Sequence, residues 1–232
     1  MTDARMIDLR ASWDILKVQG STDYSATLAS PIRDMHNTSV PDYLSHYYEF
    51  SKGPFLSLSR LPLDEAERVM DRICQAGVVF ASKRAEDYLQ VRRELEARVR
   101  RLFVERGGKP QLEQPHYMIL GSCPWVKGWY VDGREVRMPL AAFDPAIVSL
   151  TYGDTFPAMR LRDGKPYRGR VYRLDELAGL IRAYGLPQEW NPDGRQGPDR
   201  YIEAQVWDDE PIRVFLARDE ASRIPCSVIR VP

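Results

Sequence analysis

The chain has 232 residues, of which 44% are hydrophobic and 28% charged, and its 33 basic side chains balance 33 acidic ones. These values are typical of globular proteins and argue against intrinsic disorder. A net charge of zero also provides no overall field that would attract nucleic acid or an anionic membrane, so neither partner is expected.

Signals for secretion or membrane insertion are missing from the sequence. The first twenty residues contain acidic side chains and no continuous apolar run, which is not the pattern of a signal peptide. No run of about eighteen apolar residues occurs, so no transmembrane helix is predicted. Cys74, Cys123 and Cys226 are odd in number and widely spaced, which favours reduced thiols over a disulfide framework. We therefore expect a cytoplasmic protein.

Two helices are predicted in the N-terminal half, after an arm over residues 1–40 that we expect to pack on the domain. Apolar residues recur at helical spacing after Pro62, and Gly77 suits the end of that helix. A longer helix is predicted from about residue 84 to residue 106. Its arginines suggest nucleic-acid binding, but Glu94 and Glu96 each stand four residues before an arginine. That order favours a solvated face with ion pairs.

From residue 116 onwards the hydrophobic period changes to two, which predicts strands. An Asp-Gly pair at residues 132–133 predicts a hairpin turn between strands at 129–131 and 134–138. One helix is predicted at residues 175–184, between late strands. The other predicted strands cover residues 116–120, 146–152, 168–173, 200–207, 212–216 and 228–231.

These elements predict a single α+β domain over residues 1–232, with its core over residues 41–232. The expected architecture is a mainly antiparallel sheet with two helices from the N-terminal half and one helix inserted between late strands. No repeat, low-complexity tract or long linker divides the chain. Nothing in the sequence indicates the oligomeric state.

Motifs of several common enzyme classes do not occur in the sequence. There is no phosphate-binding P-loop, no dinucleotide-binding glycine pattern, no GxSxG nucleophile elbow, and no HExxH or paired CxxC zinc motif. His36, His46 and His116 lack any metal-ligand spacing, so no metal site is predicted.

The most informative segment is the strand at residues 200–207. Its alternation places Tyr201, Glu203, Gln205 and Trp207 on one face, so that a carboxylate and an amide stand between two aromatic residues. Either this is an ordinary polar outer face, or Glu203 occupies a pocket. In a pocket its pKa would rise and mark it as a site residue.

Three further segments carry candidate site residues. A strand at residues 43–50 would place His46 among apolar and aromatic neighbours, as a satisfied core histidine unless a ligand reaches it. Tyr152 ends a strand just before Gly153 and Asp154, where polar groups can point into a cleft. The Pro/Gly-rich loop around Trp190 is long enough to cover a ligand, although such tryptophans more often pin a loop to the core.

A histidine on an early strand, a tyrosine in the middle and the late strand YIEAQVWDDEPI together resemble the His-Tyr-Glu layout of ADP-ribosyltransferases. The resemblance implies two small antiparallel sheets flanked by helices, with NAD in the crevice between them. It also implies that His46 contacts the nicotinamide-side ribose, that Tyr152 stacks on nicotinamide, and that Glu203 stabilises the cationic sugar. Tyr172 competes with Tyr152 for the middle role. The predicted cofactor contacts are Tyr47, Gln205 and Trp190.

Two other functions stay open at this point. A non-catalytic protein, such as an immunity or sensor factor, would bind a small molecule or a protein partner through its aromatic loops and leave Glu203 in open solvent. A metal-dependent nuclease would use Asp154 and Glu203 on a shared cation, with Asp208 and Asp209 as nearby oxygen ligands. An NAD enzyme instead requires Glu203, His46 and one tyrosine to line a common cleft.

Overall fold

The computed structural model of the chain describes residues 40–77 and 79–223. Within them lies one six-stranded sheet with the strand order β3-β1-β2-β6-β4-β5, in which all the paired strands are antiparallel. The predicted α+β class is therefore confirmed, although the sheet is single where the ADP-ribosyltransferase resemblance implies two. The strands are β1 (Tyr43–Glu49), β2 (His116–Leu120), β3 (Gly133–Pro139), β4 (Val148–Tyr152), β5 (Tyr172–Arg173) and β6 (Ile202–Val206).

Both helices predicted in the N-terminal half are present. The first, α1 (Leu63–Ala76), has Asp64 in its first turn and ends at Gly77, whose φ of 65° is the left-handed conformation that glycine adopts without strain. The second, α2 (Tyr88–Glu105), and the inserted helix α5 (Leu177–Tyr184) also match their predictions. The remaining helices are α3 (Pro124–Lys127), α4 (Thr155–Arg160), α6 (Pro187–Trp190) and α7 (Glu210–Arg223).

The two faces of the sheet differ in chemistry. Cross-strand partners point to the same side of a sheet, and the observed registers put one set of side chains against α5 and the other against α2 and α4. We call the first set the apolar face: Leu44, Leu120, Met118, Ala204, Val206, Leu150 and Tyr152. We call the second set the polar face: Ser45, Tyr47, Tyr117, Ile119, Glu203, Gln205, Ser149 and Thr151.

Two predicted strands were wrong. Residues 129–131 form a turn and do not pair with β3, whose partner is β1. The Asp-Gly signal marks a real turn, since Asp132 has a φ of 46°, but a local signal cannot show that the pairing strand lies some eighty residues earlier. Residues 212–216 belong to α7, because Ile212, Phe215 and Leu216 also fit helical spacing.

Other predicted segments are shorter than expected or fall elsewhere. The strand predicted at residues 168–173 is reduced to β5. The arm predicted at residues 1–40, apart from its last residue, lies outside the described residues, as does the strand predicted at 228–231.

Strand β1 is attached unequally to its two neighbours. It pairs with β3 along its whole length, but with β2 only at Leu44 and Ser45. Beyond that point His46 Nδ1 lies 3.0 Å from the carbonyl oxygen of Tyr117 on β2, so a side-chain hydrogen bond continues the contact where the strand ladder stops.

The segment that leads into β6 is held by a buried ion cluster. Asp199 is fully buried and accepts two hydrogen bonds from Arg168, at 2.6 and 2.9 Å, and others from Lys165 and Tyr167. The backbone of Gly153, at the end of β4, approaches so closely that a Cβ there would lie 2.7 Å from Asp199 Oδ1. The cluster thereby fixes the chain segment immediately before β6, the strand that carries Glu203.

We expect Asp199→Ala to lower the free energy of unfolding by about 3–5 kcal/mol, because it removes the buried carboxylate that Arg168, Lys165 and Tyr167 share and leaves the Arg168 guanidinium with Asp163 alone. The matched control is Asp175→Ala, which breaks an exposed pair with Arg173 and should cost far less. Urea unfolding of both variants measures the difference. Equal losses would show that the buried cluster contributes no more than a surface pair.

Candidate active site

Glu203 lies at the centre of the sheet, on the polar face of β6, and is 7% exposed. It lines a large cleft of about 2590 Å³ together with residues from β1, β2, α1, α2, α3 and α4. Both faces of β6 are buried, so the expectation of an outer sheet face is wrong and Glu203 does not stand in open solvent. The pocket alternative holds.

The two carboxyl oxygens of Glu203 have different surroundings. Oε2 accepts hydrogen bonds from the Thr155 backbone N–H at 2.8 Å and from the Thr155 hydroxyl at 2.5 Å, with Gln205 Nε2 at 3.4 Å. Oε1 has no hydrogen-bond partner among residues 40–77 and 79–223. It is also not fully enclosed, because it is absent from the set of enclosed polar atoms that lack a partner. Because Glu203 lines the cleft, Oε1 is the oxygen available to a ligand.

Burial raises the pKa of Glu203 to about 8. The negative charge of Asp154 contributes to this rise, whereas the two hydrogen bonds from Thr155 and the positive charge of Arg92 act in the opposite direction. At neutral pH the folded protein therefore carries Glu203 mainly as the neutral acid, a form that can donate a proton.

Asp154 is the second carboxylate of the site, and its position is fixed from two sides. It begins α4 by accepting the Phe156 backbone N–H at 2.8 Å, the arrangement of a helix N-cap. Its other oxygen accepts the Tyr201 hydroxyl at 2.9 Å. The Asp154 charge is thus held beside Glu203 and favours the neutral form of that residue.

Arginines stack on aromatic rings along the walls of the cleft. On one side Arg84 lies 4.2 Å from the ring centre of Tyr88, and the Tyr88 ring stacks on Phe156 at 5.1 Å. On another, Arg200 lies 3.9 Å from the ring centre of Trp125. Nine arginine or lysine residues line the cleft against five carboxylates, so the cleft is cationic although the whole chain is neutral.

His46 lines the same cleft as Glu203, but it stands on the other side of the sheet. Its side chain projects from β1 on the side opposite to Ser45 and Tyr47, which belong to the polar face. Its Nε2 accepts the Phe55 N–H at 2.8 Å, so the ring proton is on Nδ1 and is donated to the Tyr117 carbonyl oxygen. Burial lowers the His46 pKa to about 4. Both ring nitrogens are occupied within the fold.

Tyr152 and Trp190 meet each other, but inside the core. Tyr152 is fully buried on the apolar face, and its hydroxyl donates to the Tyr184 carbonyl oxygen at 2.6 Å. The same hydroxyl accepts the Trp190 Nε1–H at 3.0 Å. Trp190 therefore pins its loop to the core, and neither residue lines the cleft.

The other two predicted cofactor contacts share the polar face with Glu203. Tyr47 lines the cleft; its hydroxyl accepts the Cys123 N–H at 2.7 Å and donates to Glu135 Oε1 at 3.2 Å. Gln205 is 1% exposed and bonds only to neighbouring side chains, so it supports Glu203 from behind.

Sequence reasoning missed Thr155, which holds Glu203 through two donors, and the arginines that stack on Tyr88 and Trp125. Thr155 directly follows the strand-end segment 151–154, so a helix start after Asp154 is the signal that could have identified it. The sequence gives no comparable signal for the arginine stacks. Trp125 and Arg200 lie on separate elements, and Tyr88 belongs to α2, whose sequence is typical of a helix with a solvated face.

Comparisons with models of known protein families, with curated proteins and with solved structures found no match for this chain. Within the described ranges, no group of three or more His, Cys, Asp or Glu side chains is arranged to hold a metal ion. No helix in the part of the chain that the structure describes is both long and apolar enough to cross a membrane.

We expect Tyr152→Phe to destabilise the fold by about 1–2 kcal/mol, because the Trp190 N–H and the Tyr184 carbonyl oxygen lose their buried partner. Tyr172→Phe is the matched control, since the Tyr172 hydroxyl is buried without a hydrogen-bond partner in the described structure. Its removal should be neutral or stabilising. Thermal and urea unfolding compare the two, and an equal effect would contradict the structural role of Tyr152.

Stability should also depend on the ionisation of Glu203. Because its folded pKa of about 8 exceeds the ordinary value of 4.5, the folded state binds more protons between these pH values, and stability falls as pH rises. The slope for one proton is at most about 1.4 kcal/mol per pH unit. Glu203→Gln should remove this decrease in stability with pH. The free energy of unfolding of Glu203→Gln, relative to that of the parent, should therefore rise from pH 6.5 to 8 and then level off. A constant difference across that range would show an unshifted Glu203.

Proposed function

We propose that this protein is an enzyme that cleaves a glycosidic bond of a nucleotide, with Glu203 as the residue that acts on the bond. The observation that carries the proposal is the buried Glu203 carboxyl group, whose pKa is raised and which presents one unpartnered oxygen to a cationic, aromatic cleft. A buried acid next to an ionised carboxylate is the pairing that glycosidases use to break a sugar bond.

The walls of the cleft support a nucleotide as the ligand class. A flat aromatic ring such as Trp125 can stack on a base, and arginine is well suited to phosphate because of its planar set of N–H donors. Arg84 rests on a ring with no carboxylate within salt-bridge distance in the described structure, so its donors are available to an anion, whereas Arg200 already donates from Nη2 to the Pro192 carbonyl oxygen.

NAD is the first ligand to test, as the resemblance to ADP-ribosyltransferases suggests. The roles that the resemblance implies are only partly supported. Glu203 lies in the cleft but with a raised pKa, which supports a proton donor in place of an anion that stabilises the cationic sugar, whereas His46 is occupied by backbone partners and Tyr152 is buried in the core. The residue that supports ring stacking in their place is Trp125, which lines the cleft.

We expect calorimetric titration with NAD to give saturable heat with the parent protein and with Glu203→Gln, since glutamine keeps the shape and the Thr155 hydrogen bonds. Turnover, measured by chromatography as release of adenine from AMP, whose base needs a proton to leave, should fall at least about 100-fold in Glu203→Gln, as for loss of a general acid. Glu135→Gln is the control, because Glu135 is the cross-strand partner of Tyr47 but does not line the cleft. This variant should keep both the saturable binding heat and the turnover.

The outcomes separate the competing functions. Binding without release of any base would favour a non-catalytic nucleotide sensor. No heat at millimolar NAD, together with none for AMP, would overturn the nucleotide proposal and favour a protein partner.

A further inference from the structure

We propose that the dissociable proton of Glu203 resides on Oε1, so that the substrate is a purine or pyrimidine nucleotide whose base must take up a proton as it leaves. The inference rests on the proposed function and names its substrate class. It depends on a chain of buried hydrogen bonds whose directions follow from the chemistry of their donors.

The chain begins at Trp207, which is fully buried and whose indole nitrogen can only donate. Trp207 Nε1 lies 2.8 Å from Ser149 Oγ, so Ser149 is the acceptor there. Ser149 must then donate its own proton elsewhere, and its hydroxyl lies 2.8 Å from Gln205 Oε1. This contact fixes the Gln205 amide with its oxygen toward Ser149 and its NH₂ group toward the site.

The Gln205 NH₂ group meets two threonine hydroxyls, Thr151 at 3.0 Å and Thr155 at 3.1 Å. Both hydroxyls therefore accept from Gln205 and donate onward. Thr151 donates to the Gly153 carbonyl oxygen at 3.0 Å. Thr155 donates to Glu203 Oε2, which also receives the Thr155 backbone N–H.

The branch of this chain through Thr155 thus ends on one oxygen of Glu203, Oε2. An oxygen that accepts two hydrogen bonds at 2.5 and 2.8 Å acts as the carbonyl oxygen of the acid, and no acceptor remains beside it to receive a proton. The other oxygen, Oε1, carries the hydroxyl and faces the cleft.

Four charged or titratable groups from four elements surround Glu203. They are Asp154 before α4, Tyr201 before β6, Tyr117 on β2 and Arg92 on α2. Asp154 is engaged by Tyr201 and the start of α4, and Arg92 donates to Glu96 at 2.9 Å. Tyr117 donates to Glu96 as well, so these groups have partners other than the Glu203 proton.

This geometry selects the leaving group. As the C–N glycosidic bond breaks with its electron pair on the ring nitrogen of the base, the Oε1 proton moves to the base. Water then adds to the sugar carbon and returns one proton to Oε1, so the products are the sugar phosphate and the neutral base. Nicotinamide in NAD is already cationic and leaves as a neutral molecule without a proton, and it gains nothing from Oε1–H.

The activity test compares base release from AMP, UMP and NAD across pH 6–9. We expect release of adenine or uracil that is lost as pH rises through about 8, and at least about a 100-fold loss in Glu203→Gln. Nicotinamide release that dominates and increases through that pH would overturn the inference while leaving the proposed function intact. No release of any base would overturn both.

Infrared difference spectroscopy tests the position of the proton without requiring activity. The C=O stretching band of the neutral acid, identified by its loss in Glu203→Gln, should shift to higher frequency in Thr155→Val, which removes a donor to the carbonyl oxygen. Thr155→Ser keeps the hydroxyl and should restore the parent frequency. An unchanged band in Thr155→Val, or no neutral-acid band at pH 7, would contradict a proton on Oε1.

Discussion

The need to satisfy polar groups on a buried sheet face organises much of this structure. Strand β6 is covered on both sides, yet it carries Glu203 and Gln205, and its flanking strand β4 carries Ser149 and Thr151. Buried polar atoms without partners are costly, so these side chains hydrogen-bond to one another in a connected series. Of the four side chains in this series, Glu203 keeps one oxygen without a hydrogen-bond partner in the described part of the chain, which is why chemistry is expected there and not at its neighbours.

The sequence was sufficient where a signal is local. The alternation of residues 201–207 correctly placed Glu203 and Gln205 on one face, and the helical period, the first-turn acids and Gly77 correctly described α1. Strand alternation alone, however, cannot reveal which face is covered. The cover over Glu203 comes from α2 and α4, and their packing depends on contacts between distant parts of the chain.

The parity of strand positions explains why the predicted trio did not assemble. Thr151, and not Tyr152, is the cross-strand partner of Glu203 on β4, so the tyrosine points to the other side of the sheet. His46 is likewise one residue out of phase with Ser45 and Tyr47. A motif read as residue types in order along a chain is insensitive to such single-residue shifts, whereas the sheet is not.

The short seam between β1 and β2 has a consequence for how the fold responds to acid. His46 completes that seam only while its ring is neutral, because Nε2 must accept the Phe55 N–H. As pH falls from about 6.5 toward 4, the unfolded chain takes up the proton more readily than the folded one, and the seam loses its stabilisation. The β1–β3 pair is then held to the rest of the sheet by its ladder at Leu44 and Ser45 and by the Tyr47 hydroxyl, which accepts the Cys123 N–H.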